Sequence, residues 1–187
     1  MIERVRIRWR RIDIPGTDDA VLRRESEGWS LSGVATLTDS GRPCRLEYAV
    51  LCDSSWRTSG CTVRGTVGDR QILLEVTRDD AAHWIVDGHR LAALDDCEDI
   101  DLAFTPATNL LPIRRLRLNV GERAYVRAAW MRFPQFDIEV LEQYYTRLGD
   151  DRYLYESAGG AFRRELTVDE NGLVLEYPGL WTAQRGN

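Results

Sequence analysis

Five acids, Asp95, Asp96, Glu98, Asp99 and Asp101, fall within one seven-residue stretch. Two arginines, Arg114 and Arg115, follow after an apolar run and a Pro-bounded turn. Three chemistries use such a set. Carboxylate oxygens are the donors that hard cations take. A carboxylate pair drawn from Asp87, Asp95, Asp99 and Asp101 could act as acid and base on a sugar or lipid-like substrate. Arginine forks bind carboxylates bidentately. The spacing departs from the EF-hand loop, with no glycine at the sharp-turn position, so the metal reading falls behind the others. The first expectation is an ionic clasp between these acids and Arg114–Arg115, and no cofactor is expected.

His83 and His89 are the only histidines. Across the Val86-Asp87-Gly88 turn they could approach in a hairpin, but no third ligand accompanies them, and both read as structural or exposed. No serine sits in a nucleophile elbow, and no glycine-rich phosphate loop occurs. All 25 basic residues are arginine, so there is no lysine for Schiff-base chemistry or for a P-loop.

Those residues need elements to hold them, and period-two alternation dominates the chain. In Glu3–Asp13, Val5, Ile7 and Trp9 alternate with Arg4, Arg6, Arg8 and Arg10, giving a strand with one wet, basic face. Further strands are expected at 20–26, 29–38, 44–52, 57–67, 70–77, 83–86, 100–104, 123–133, 137–142, 144–148, 152–157, 162–168 and 173–177. Alternation through 100–104 puts Asp101 and the preceding Asp99 on one face, with Ile100 and Leu102 on the other. Asn171-Gly172 is the strongest hairpin signal, both residues tolerating positive φ. The one helix expected follows Asn109 as cap, with Leu110, Leu111, Ile113 and Leu116 on one apolar face and Pro112 in the first turn. The fold class is therefore mainly β: a curved, largely antiparallel sheet, a spiral β-roll or half-barrel, with one short helix.

An internal echo runs through this pattern. Glu25-Ser-Glu-Gly28, Leu37-Thr-Asp39, Leu46-Glu-Tyr48 and Trp56 are matched in order by Glu156-Ser-Ala-Gly159, Leu166-Thr-Val168, Leu175-Glu-Tyr177 and Trp181. It points to one domain over 1–187 built from two β-meander halves, about 1–95 and 96–187.

With 43% apolar residues the chain folds, and a net charge of −5 argues against nucleic acid as a partner. The N-terminus lacks the apolar core of an export signal and no run reaches transmembrane length, so a cytoplasmic location is expected. Cys44, Cys52, Cys61 and Cys97 have no CxxC spacing and read as free, buried thiols.

Aromatics with polar tips recur along the strands, among them Trp84, Trp130, Tyr144, Tyr145, Tyr153, Tyr155, Tyr177 and Trp181. With arginine and aspartate they compose the kind of wall that stacks on an amphiphile and binds its hydroxyls. Several blocks also resemble a known family: Trp84-Ile-Val-Asp-Gly88, Leu94-Asp-Asp-Cys97, Asp99-Ile-Asp-Leu102, Thr105-Pro-Ala-Thr-Asn109 and Leu111-Pro-Ile-Arg-Arg-Leu116. Ala129-Trp130, Phe133-Pro134, Gln143-Tyr144, Tyr153–Ser157 and Tyr177-Pro-Gly-Leu-Trp181 extend the match. Together they are similar to the bacterial glycolipid-binding family, formerly a domain of unknown function. Where that family carries Asp-Gly-Cys, this chain has Asp95-Asp96-Cys97, which bears on the turn geometry there.

The resemblance implies a duplicated, spirally rolled β-sheet similar to the periplasmic lipoprotein carriers and an outer-membrane lipoprotein receptor. The leading functional expectation is non-catalytic binding of a glycolipid or similar amphiphile in a concave pocket. Trp84, Trp130, Tyr144 and Trp181 would give apolar surface, and Asp87, Asp95, Asp99, Asp101, Asn109, Arg114 and Arg115 polar contacts. Two alternatives stand beside it: a hydrolase-like enzyme using a carboxylate pair, and an oligomeric scaffold or homodimer joined through long open edges such as Glu3–Asp13.

Overall fold

The computed structural model describes residues 4–184. The strands are β1 (Arg4–Arg11), β2 (Gly16–Arg24), β3 (Gly28–Asp39), β4 (Arg42–Asp53), β5 (Thr58–Val67), β6 (Arg70–Arg78), β7 (Trp84–Val86) and β8 (His89–Arg90). They continue as β9 (Asp99–Leu102), β10 (Arg123–Met131), β11 (Ile138–Arg147), β12 (Arg152–Ser157), β13 (Phe162–Val168), β14 (Val174–Tyr177) and β15 (Trp181–Ala183). The one α-helix among the described residues, α1 (Leu110–Leu116), lies between β9 and β10.

All fifteen strands form one curved, unclosed sheet in the order β8-β7-β6-β5-β4-β3-β2-β1-β15-β14-β13-β12-β11-β10-β9. Every pairing is antiparallel except β9 with β10. One arm runs outward from β1 to β8 and the other from β15 back to β9, so the first and last strands meet in mid-sheet. The first set of echo residues runs from the turn before β3 through β4 to Trp56, and the second from the end of β12 through β13 and β14 to the start of β15.

Alternation explains the layering. In β3 and β4, Leu31, Ala35, Leu37, Leu46, Tyr48 and Val50 all point inward and are buried. Their neighbours point outward, as a period of two requires. The inner faces of both arms close on Trp9, Trp84, Phe104 and the buried side of α1, Leu110, Leu111 and Ile113. Gly65 has φ +147°, and a Cβ there would lie 1.9 Å from the Arg45 carbonyl oxygen, so only glycine fits this close crossing of β4 and β5.

Thr58 ties the far end of the sheet back to the first arm. Its N–H donates to the Glu98 carbonyl (3.0 Å), its hydroxyl accepts from Ile100 N–H (3.0 Å), and Arg78 donates to its carbonyl (3.3 Å). The outer edge of β9 is thus stitched to the start of β5.

Several expectations need correcting. Glu3 lies outside the described residues, and β1 is no open edge, being paired with both β2 and β15. The edge argument for a scaffold or homodimer loses its footing. The strands expected at 137–142 and 144–148 are one, β11, and β8 and β15 were not anticipated. Asn109 does not cap α1; it has helical φ and ψ in a preceding 3-10 turn, and its side-chain N–H donates to the Tyr145 hydroxyl (2.9 Å). At Asn171-Gly172 only Gly172 takes positive φ (+89°). Gly172 N–H donates to Asp169 and Asp169 N–H to Leu173, a turn closed by a left-handed glycine. Two-residue hairpin loops with both φ positive occur instead at Ser40-Gly41 between β3 and β4 (+50° and +79°) and at Asp87-Gly88 between β7 and β8 (+48° and +80°).

Candidate functional site

The acidic run spreads out on folding. Asp95 pairs with Arg90 (2.5 Å), Asp96 with Arg127 (2.6 Å), and Glu98 with both Arg57 (2.9 Å) and Arg115 (2.5 Å). The Arg115 guanidinium also forks onto Asp99, with Nε to Oδ1 at 3.1 Å and Nη2 to Oδ2 at 2.5 Å. Burial nevertheless pushes the Asp99 carboxyl above the usual carboxylate range. A clasp between strand and helix therefore exists, but it is made by Arg115 alone. Arg114 turns the other way, its guanidinium stacking 5.0 Å from the Trp56 ring centroid.

Asp101 is different in kind. It has no arginine partner among the described residues; it accepts a hydrogen bond from Gln143 Nε2 at 2.6 Å. Burial pushes its carboxyl up to about 6, against hydrogen bonds from Gln143 and Thr108 that favour ionisation. In the parallel β9–β10 register Asp101 stands opposite Trp130. The same inner face continues over Leu141, Tyr155, Ser157 and Phe162 to Tyr177, Leu180 and Trp181. These residues line a part-open cavity of about 350 Å³, bordered by Ala103, Thr105 and Asn109 from the segment after β9.

That bordering segment is anchored from the opposite arm. Thr105 donates its hydroxyl to Asp18 on β2, and Asp18 also accepts from Tyr48 on β4 at 2.8 Å. Gly33 makes room for this, since a Cβ there would sit 2.4 Å from the Tyr48 hydroxyl. Asp18 is wholly buried, its Oδ1 has no partner, and burial pushes its carboxyl up to about 6. An apolar, aromatic cavity with few convergent polar groups has the make-up of small-ligand sites.

Four of the anticipated residues thus meet at one cavity: Asp101, Asn109, Trp130 and Trp181. The others do not. Trp84 is a core residue with no exposure, donating its indole N–H to the Cys97 carbonyl (3.0 Å). Tyr144 lies on the opposite face of β11, against Tyr125 and Arg123. Asp87 sits at the β7–β8 turn, where its carboxylate accepts from Glu75 N–H (2.9 Å). It lines a separate groove of about 940 Å³ on the outer side of β2–β6. Asp95, Asp99 and Arg115 serve the ion pairs described, and Arg114 borders a third hollow beside Asp169.

Sequence reasoning missed Leu141, Ser157 and Phe162. Their signal was parity: each shares an inward register with Trp130 or Tyr155 across β10–β13, visible once the strands are paired.

Among the described residues no group of three or more His, Cys, Asp or Glu is placed to hold a metal. His83 bonds Asp79 and His89 bonds the Asp87 carbonyl. All four cysteines are free and buried, and burial pushes Cys61 up to about 12 and Cys97 up to about 11, far from thiolate chemistry at neutral pH. Of the acids proposed as a catalytic pair, only Asp101 lines the cavity.

One curved, unclosed and mostly antiparallel sheet with a short helix, lined on part of its inner face by an aromatic cavity, places the chain among mainly β proteins of the rolled-sheet class. The chain belongs to the family described as "Putative glycolipid-binding", whose model matches residues 6–183. It is similar to the crystal structure of a DUF1089 family protein from Pseudomonas aeruginosa, with 36% identity, a TM-score of 0.79, and coverage of 88% of this chain and 91% of that one. No curated protein matches it. No helix among the described residues is long and apolar enough to cross a membrane.

Proposed function

We propose that the chain binds an amphiphile, a glycolipid or a molecule of like chemistry, in the cavity beneath Thr105 and Asn109, without reacting with it. The observation that carries this reading is Asp101, an acid without an arginine partner among the described residues that faces a mostly apolar and aromatic cavity. A carboxylate in that position accepts hydrogen bonds from hydroxyl groups, which arginine-paired Asp99 is less free to do. Trp130 and Trp181 offer flat apolar surface to the face of a sugar ring or the start of an acyl chain. The cavity, about 350 Å³, suits a headgroup or a short apolar segment better than a whole two-chain lipid. The family description supports the ligand class.

The test is titration with a glycosyl diacylglycerol, and separately with a fatty acid, followed by tryptophan fluorescence and melting temperature. Bound glycolipid should raise the melting temperature. Trp130→Ala should abolish the shift for both ligands, whereas Asp101→Asn should weaken the glycolipid and spare the fatty acid. A wild-type protein unmoved by either ligand sinks the proposal.

A further inference from the structure

Nearly every arginine described has a partner. Most pair with acids, and others stack on rings or donate to backbone carbonyls. Five have none among the described residues: Arg4, Arg6, Arg10, Arg23 and Arg117. Four of these form one block. Arg4, Arg6 and Arg10 project from the outer face of β1, and Arg23 on β2 is the cross-strand neighbour of Arg4. Arg8 completes the row, held only by an exposed contact with Asp19 at 3.5 Å. Alternate residues on a strand stand about 6.8 Å apart, so the row runs roughly 20 Å. Its members repel one another, and Arg6 and Arg23 both depress the Arg4 guanidinium. The chain's net charge is −5, so this block is no sample of a generally basic surface.

We propose that the outer face of β1 and β2 is a docking surface for an anionic lipid bilayer. Guanidinium forks bind phosphate oxygens bidentately, and clusters of this size are what anionic leaflets attract. Screening over about 10 Å keeps the acids elsewhere on the molecule from cancelling the local field. Ile12, 49% exposed, lies just past the end of β1 and offers apolar surface close to the row. Polybasic attraction with an apolar contact is the two-part signal that peripheral membrane binding uses. Nucleic acid fits less well. The outward positions of β1–β3 carry Thr17, Asp19, Val21, Ser30, Ser32, Val34 and Thr36 beside the arginines, with no aromatic ring on which a base could stack. The surface lies on the opposite side of the sheet from the cavity, and the proposal does not rest on that site's ligand.

The test is co-sedimentation with vesicles of phosphatidylcholine alone and of equal parts phosphatidylcholine and phosphatidylglycerol. Binding should require phosphatidylglycerol and should weaken between about 0.05 M and about 0.5 M salt. The triple variant Arg4→Ser, Arg6→Ser, Arg10→Ser should bind about fivefold more weakly per arginine removed. Its melting temperature should hold, because these side chains are exposed and mutually repulsive. A control with the same charge change, Arg42→Ser, Arg90→Ser, Arg152→Ser, should bind like wild type. The proposal is overturned by no binding to phosphatidylglycerol vesicles, by equal binding to neutral ones, by a control that loses as much as the triple variant, or by tighter binding to a DNA oligonucleotide than to the vesicles.

Discussion

Asp99 and Asp101 stand two residues apart on one face of β9, yet each meets a different chemistry. Asp99 is locked to Arg115; Asp101 is left to Gln143 and the cavity. Arg115→Ala should cost about 3–5 kcal/mol, because it strands a buried carboxylate and leaves Glu98 with Arg57 alone. The loss should shrink in acid, where Asp99 protonates, and denaturant midpoints measured across pH would show this; an equal loss at every pH would refute the ionic account. The clasp itself was legible in the sequence, since opposite charges in such density seek one another. Its division was not. Consecutive residues on a helix point about 100° apart, so Arg114 and Arg115 never act as a pair. Asp101 was legible only as an acid; its freedom from arginine is a fact of packing.

At the scale of elements, one threonine does the work of a neighbouring strand. Thr58→Val keeps shape and volume but removes the acceptor for Ile100 N–H, leaving a buried donor unpaired. That should cost about 1–3 kcal/mol and speed hydrogen exchange at Ile100 while β3 and β4 stay protected. Unchanged exchange at Ile100 would mean that the stitch carries no weight. Strand positions were readable wherever apolar and polar residues alternate for six residues or more. β8 and β15, with two and three residues, show no period of their own, and the three-residue β7 was legible only as part of the longer stretch 83–86. The expected break within β11 fell at Gln143, which looks like an interruption in a list of residues and is in fact buried against Asp101.

For the whole molecule, two buried carboxyls set an unusual pH response. Asp18 and Asp101 titrate near 6 when folded, against an ordinary value of 3.8. The folded state therefore holds more protons between those values, and their contribution is fully present below about pH 4 and lost as pH rises through about 6. Glu98 acts in the opposite sense: burial raises it, but Arg57 and Arg115 hold it below its ordinary value, so its contribution fades in acid. Relative to wild type, Asp18→Asn with Asp101→Asn should gain about 2–3 kcal/mol per site between pH 4 and pH 7, read from denaturant midpoints. A difference that stays flat with pH would show that the carboxyls ionise normally. Neither residue announced this in the sequence, because burial is set by partners far along the chain. The same holds for the seam between β1 and β15. Hairpins follow from local turns, but nothing local tells Trp9 to give its indole N–H to the Val174 carbonyl, 165 residues away. β1 can pair with β2 as soon as that hairpin forms, but its other edge and the Trp9 indole wait for β14 and β15, far along the chain. Until the β1–β15 seam closes, that edge is a template for other chains, so conditions that open the seam should promote aggregation before they unfold the hairpins of either arm.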